Sequence, residues 1–168
     1  MRNKKPLQKV SFYFITLAVL FLFSCEEEES GSVISISSGT SFGECGGYCV
    51  RTLEIDSEMI LYTASGYDPV SYPDLTVEAS YSNGEWNAIT ALVDFGELQS
   101  YADIVGCPDC ADGGAEWIQV EMNDGIKKII FEYGDTLETI QPLIDMLRTL
   151  RIKYELQLFA EQVTEKTH

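Results

Sequence analysis

The sequence predicts an α+β domain: an antiparallel sheet with two helices packed on one face, in the order strands, helix, hairpin, helix. Three observations carry that expectation. Short β-prone runs separated by turn residues fill positions 33–81. An Asn123-Asp124-Gly125 turn lies between two further apolar runs. Apolar residues recur at spacings of three and four from Ile140 to Leu158. Strand pairs followed by helices favour an antiparallel sheet covered on one side. A chain of 168 residues has room for one such domain with a core large enough to be stable alone.

The first strand is expected from Val33 to Ser37. Val50–Ile55 and Met59–Thr63 follow as β-prone runs around Asp56-Ser57-Glu58, which reads as a hairpin. Residues 65–74 carry Gly66, Pro69 and Pro73 and read as a loop. Leu75, Val77, Ala79 and Tyr81 alternate with Thr76, Glu78 and Ser80, the period of a half-buried strand, and Asn83-Gly84 closes it with a turn. Asn87 is then placed as the cap of a helix burying Ile89, Leu92, Val93 and Phe95 and weakening at Gly96. A Gly- and Asp-rich stretch from Gly106 to Gly114 leads to strands at Ala115–Met122 and Ile126–Tyr133. The last element is a helix with the stripe Ile140, Ile144, Leu147, Leu150, Tyr154 and Leu158. Thr139 is its expected N-cap, so that Pro142 falls in the first turn, where its missing N–H costs nothing. Arg148, Arg151 and Lys153 lie further along, and the tail at 161–168 is expected to fray.

Ahead of the domain comes a basic start (Arg2, Lys4, Lys5, Lys9) and an apolar run from Val10 to Phe23. A spanning helix needs about 20 apolar residues, so this run is too short to cross a bilayer and fits a signal peptide. Leu22-Phe23-Ser24-Cys25 resembles the lipobox of bacterial lipoprotein precursors, with Phe23 bulkier than usual at its position. The resemblance implies cleavage after residue 24 and acylation of Cys25, hence an outer-membrane lipid anchor in the cell envelope with the bilayer as partner. Residues 25–32 are the expected tether: Glu26 to Glu29 followed by Ser30, Gly31 and Ser32 cannot pack. The acidic cluster also resembles a signal for export to the outer face of that membrane. The folded domain is expected over 33–160.

Residues 1–24 carry four of the eleven basic residues and no acidic one, so their removal takes the net charge from −16 to −20. A chain this acidic is repelled by nucleic acid and by anionic lipid surfaces.

Four cysteines remain: Cys45, Cys49, Cys107 and Cys110. An envelope address and an even, paired count favour disulfides. A four-thiolate zinc site is the minority alternative, and a redox pair at Cys107-Pro108-Asp109-Cys110 another, although that motif leads into a strand where redox motifs open a helix. The cysteines allow three connectivities. Bridges between the clusters would close loops of about 60 residues and contribute about 4 kcal/mol, against about 2 for local ones. Gly46 and Gly47 make the local closure easy.

The run Cys45-Gly46-Gly47-Tyr48-Cys49-Val50-Arg51-Thr52-Leu53-Glu54-Ile55 resembles the opening of an uncharacterised family of bacterial envelope lipoprotein domains that begin Cys-x-Gly-x-Cys. Cys45, Gly47, Cys49, Leu53 and Ile55 match, while Val50 stands where Pro is usual and Thr52 where an aromatic is usual. A hairpin with Lys127-Lys128 and a Leu-rich final helix fit the same layout. The resemblance implies architecture and no activity. Joined to the spacing and the glycines, it favours local Cys45–Cys49 and Cys107–Cys110 bridges.

The lone histidine is His168, which removes Ser-His-Asp and Cys-His catalysis and histidine-rich metal sites. No Gly-rich phosphate loop and no EF-hand spacing is present. Tyr67 and Tyr72, near Pro69 and Pro73, form a possible binding loop for a sugar or peptide. The expected function is therefore a lipid-anchored envelope module, non-enzymatic, binding a protein or glycan at the membrane surface. The alternative is an envelope enzyme using carboxylates or the Cys107/Cys110 pair.

Overall fold

The computed structural model describes residues 31–165. The expected signal peptide (1–24), Cys25 and the glutamates at 26–29 lie outside the described residues. Six strands form one antiparallel sheet: β1 (Val33–Ser41), β2 (Tyr48–Ile55), β3 (Met59–Gly66), β4 (Leu75–Ser80), β5 (Ala115–Met122) and β6 (Gly125–Glu132). Their order across the sheet is β4-β3-β2-β1-β5-β6. The first four strands meander from the centre to one edge. The chain then crosses through α1 (Asn83–Thr90) and α2 (Phe95–Ser100), and the β5–β6 hairpin pairs with the free side of β1. The long helix α3 (Gln141–Glu165) follows and packs against β2, β3 and β4.

Period-two alternation decides which face is covered. Ile36 stands opposite Ile55 and Val120, and Ser38 opposite Leu53 and Ile118, so these rows share one face. Tyr62, Ile129 and Phe131 extend it, and α3 buries Leu143, Ile144, Leu147, Tyr154 and Leu158 on top. The expected helical stripe is thus the buried one, with Leu150 half-buried. On the other face, Ser37, Thr52, Thr63 and Gln119 remain half-exposed. The outer edge of β6 is partly covered by the preceding chain: Val105 N–H donates to the Ile130 carbonyl and Ile130 N–H to that of Asp103, both at 2.9 Å. Such cover blunts an edge that could otherwise pair with another chain.

Several expected boundaries move, each for a local reason. The helix placed at Asn87 begins earlier, because Ser82 and Glu85 form a reciprocal capping box that makes Asn83 and Gly84 helical and not a turn. It also ends earlier. Thr90 Oγ1 bonds back to the Trp86 and Asn87 carbonyls, and Asp94 then caps a separate helix through Gly96 by accepting from Glu97 N–H at 3.0 Å. One helix became two short ones, and their Ile89 and Leu98 join the same core as α3. Thr139 does not cap α3; a 3₁₀ turn over Glu138–Ile140 leads into the helix, and Thr139 Oγ1 donates to the Tyr101 hydroxyl at 3.1 Å. Pro142 sits in the first α-helical turn as expected. No helix among the described residues is long and apolar enough to cross a membrane.

Packing on one face predicts unequal costs along α3. Leu147→Ala removes a fully buried side chain and should destabilise the domain by about 2–5 kcal/mol. Leu156→Ala, on the exposed side, should stay within about 0.5 kcal/mol of the parent. Urea unfolding curves distinguish the two, and equal effects would contradict this packing.

Candidate functional site

Three elements place a charged residue where the pattern calls for an apolar one. On β5 the inward positions are Glu116, Ile118, Val120 and Met122, and on β2 they are Cys49, Arg51, Leu53 and Ile55. Register sets Arg51 and Glu116 on either side of Thr40, making a polar row across β2, β1 and β5. On α3, Arg151 falls in the stripe between Leu147 and Tyr154, with Arg148 one turn before and Glu155 one turn after.

Glu116 is the centre of the cluster, with only 1 % of its surface exposed. Arg148 Nε donates to both of its oxygens at 3.1 Å, and Arg148 Nη2 donates to Oε2 at 2.7 Å. Arg151 Nη2 donates to Oε1, while Nη1 of the same guanidinium donates to Ser38 Oγ at 2.6 Å. Gly134 N–H adds a longer bond of 3.3 Å. Burial by itself would raise the Glu116 pKa, but the Arg148 hydrogen bonds and the Arg151 charge outweigh it and hold the carboxyl below its ordinary range. The same pairing moves Arg148 above its ordinary value.

Arg51 makes the second ion pair. Its Nε donates to Glu155 Oε1 at 2.6 Å and its Nη1 to the Tyr48 carbonyl at 2.9 Å, with both side chains of the pair half-buried. Tyr62 lies below, its hydroxyl buried without a hydrogen-bond partner among the described residues. Burial, followed by the Glu155 charge, pushes its pKa up to about 12, so the phenol stays neutral.

The three arginines and Glu155 line a cavity of about 500 Å³ between α3 and the β1–β2 end of the sheet. Arg51, Arg148 and Arg151 form its polar wall, and Phe42, Tyr133 and Ile152 its apolar wall. They are all the arginines the chain has after Arg2. Nε of Arg151 donates to no acceptor among the described residues, Nη1 of Arg148 has only a 3.8 Å ion-pair contact with Asp145, and the rest of the Arg51 guanidinium faces the Tyr62 hydroxyl. The pocket therefore holds unused guanidinium donors beside an apolar surface, an arrangement suited to an anionic group on an apolar or ring-shaped body.

Two loops brace this pocket, and they carry the four cysteines. Cys45 pairs with Cys49 and Cys107 with Cys110, with Cα–Cα distances of 5.7 and 5.5 Å. Phe42 N–H donates to the Cys49 carbonyl at 3.2 Å, and the Phe42 ring meets Tyr133 edge to face at 4.9 Å. Asp109, inside the second cysteine loop, accepts from Gly43 N–H at 3.3 Å and Gly114 N–H at 3.2 Å. Gly114 has φ +84°, and a Cβ there would overlap the Phe42 ring, so the loop needs glycine to seat that wall. The cysteines are divided between two loops, and no group of three His, Cys, Asp or Glu among the described residues is arranged to hold a metal ion. A 3₁₀ turn and then β5 follow Cys110, so no α-helix N-terminus lies at this pair to stabilise a thiolate.

Tyr67 and Tyr72 are both exposed, and no ring contact joins them among the described residues. Tyr72 packs edge to face on Tyr48 at 5.7 Å, and the exposed Tyr67 makes no ring contact among the described residues. In the sequence, Arg51 stands out only within the cysteine-led run and Arg148 and Arg151 only along the last helix, and Glu116 is not singled out at all. The missed signal was phase: all but Arg148 occupy core positions of their elements. No family model matches the chain, and no curated protein matches it.

Glu116→Gln tests the cluster. The substitution leaves two guanidiniums beside a neutral amide and should cost about 3–5 kcal/mol at neutral pH. Because the folded carboxyl is held below its ordinary value, its stabilisation is complete above about pH 5 and is lost as pH falls through the depressed folded value. The stability gap between parent and variant, from denaturation at pH 7 and pH 3.5, should therefore narrow on acidification. A gap that widened would contradict the assignment.

Proposed function

We propose that the protein is a lipid-anchored, non-enzymatic module of the cell envelope that holds an anionic group of its ligand in the three-arginine pocket. The observation carrying this reading is the convergence of every arginine after Arg2 on one cavity, with donors left over. Paired guanidiniums bind anions through charge-assisted, directional hydrogen bonds, and a half-enclosed cavity strengthens them by limiting competing water. Glu116, the buried carboxylate beside the pocket, is held ionised, so it offers no proton for general acid catalysis. The anchor rests on the leader and on Leu22-Phe23-Ser24-Cys25, with the glutamates at 26–29 as a solvated spacer and an export signal to the outer face.

Both halves of the proposal are open to direct test. Acetate titrated into the purified full chain should give saturable NMR shifts at Arg51, Arg148 and Arg151, and Arg51→Gln should weaken binding about tenfold. The absence of saturable shifts would contradict the pocket reading. Cys25→Ala should yield unprocessed precursor or release the protein from membranes. Normal processing with unchanged detergent partitioning would rule out the anchor.

A further inference from the structure

We infer that the pocket is matched to a ligand bearing one isolated carboxylate on a sugar ring, a hexuronate residue of a glycan, and that Glu155 sets this preference by excluding phosphate. The inference rests on the pocket being the binding site and adds the class of ligand it takes.

Charge counting supplies the first argument. Arg51, Arg148 and Arg151 contribute three positive charges, and Glu116 and Glu155 neutralise two of them. Asp145 lies at the rim, 3.8 Å from Arg148 with its side chain 63 % exposed, where solvent screens it. Tyr62, its pKa pushed up to about 12, is a neutral phenol. One positive charge remains for the ligand, which a carboxylate balances. A phosphomonoester, at about −1.5 to −2, would leave unbalanced negative charge next to Glu155.

The second argument comes from the rest of the chain. The folded part carries Asp and Glu far in excess of Lys and Arg, so a polyanion would be repelled over most of the surface it touched. A ligand whose negative charge is confined to one group escapes most of that cost, because the group sits among guanidiniums.

The walls give the third. Tyr133, 53 % exposed, Phe42 and Ile152 line the same cavity as the arginines, the Phe42 and Tyr133 rings meet edge to face, and Thr40 pairs with Arg51 across the strands. A pyranose ring presents C–H groups that pack on aromatic faces and hydroxyls that take up spare N–H donors. A free inorganic anion would use the arginines and leave the apolar wall wet. Within this arrangement Glu155 occupies Nε of Arg51. Its own charge fixes the balance at one.

A series of sugars tests the inference, because methyl glucoside, the methyl glycoside of glucuronic acid and glucose 6-phosphate share the pyranose ring and carry a neutral, a singly charged and a phosphate group at carbon 6. Binding to the purified full chain, followed by NMR at fixed ionic strength and pH 7.5, should favour methyl glucuronide over both others. Glu155→Gln should leave the fold intact and raise affinity for glucose 6-phosphate on the order of tenfold relative to the uronide. Glu155→Ala makes the same change in charge if the glutamine variant folds poorly. Tighter parent binding of glucose 6-phosphate than of the uronide, or no change of preference in either variant, would overturn the inference and leave the anion pocket standing. Equal binding of methyl glucoside would overturn it as well. Acetate binding without uronide binding would reject the sugar alone, whereas failure of acetate, uronide and phosphate alike would reject the pocket itself.

Discussion

A carboxylate inside the sheet is the constraint on which the rest depends. Glu116 belongs to the covered face, and an ionised group there costs several kcal/mol unless partners replace its water. Two arginines from α3 supply them, one turn apart on the helix. The pair is selective about position. Sliding or rotating α3 by one residue would withdraw Arg148 or Arg151 and bring an apolar side chain to the carboxylate. Hydrophobic packing alone tolerates such shifts far better, because it is non-directional. The cluster therefore fixes the register of helix on sheet, and that register brings Ile152 and Glu155 into the pocket lining.

Two guanidiniums on one carboxylate exceed what neutralisation requires. A buried ion cluster is commonly no more stabilising than apolar residues of similar volume. The surplus positive charge beside Thr40 is what the proposed anion pocket would use. The cysteine loops extend the same logic. Each local bridge closes a short loop and stabilises the domain by only about 2 kcal/mol. Their placement holds Phe42 against Tyr133 and fixes the Tyr48 carbonyl that orients Arg51.

Much of the fold was legible because its elements follow strong periods. The alternation in β4, the Asp124-Gly125 hairpin and the three-four stripe of α3 each repeat a single physical rule several times. The crossing between β4 and β5 was less legible. There, Ser82, Thr90 and Asp94 start and stop helices through single side-chain hydrogen bonds, which leave no repeating pattern. The pocket was hidden for a different reason. Its residues come from β1, β2, the chain after β6 and α3, and only the strand order brings them together. Glu116, Arg51 and Arg151 did leave a trace, since each breaks an otherwise apolar row. Read jointly, one acidic and two basic residues in core phase point to a buried ionic cluster before any coordinates are known.

The central claim is that Glu116 and Arg151 act as a unit joining sheet to helix. A double-mutant cycle on stability, using Glu116→Gln, Arg151→Met and the two combined, tests it most directly. If the pair is buried and mutually dependent, each single change is costly and the double change costs much less than their sum, with a coupling of about 1.5–3 kcal/mol. Additive effects, within about 0.5 kcal/mol, would contradict the account.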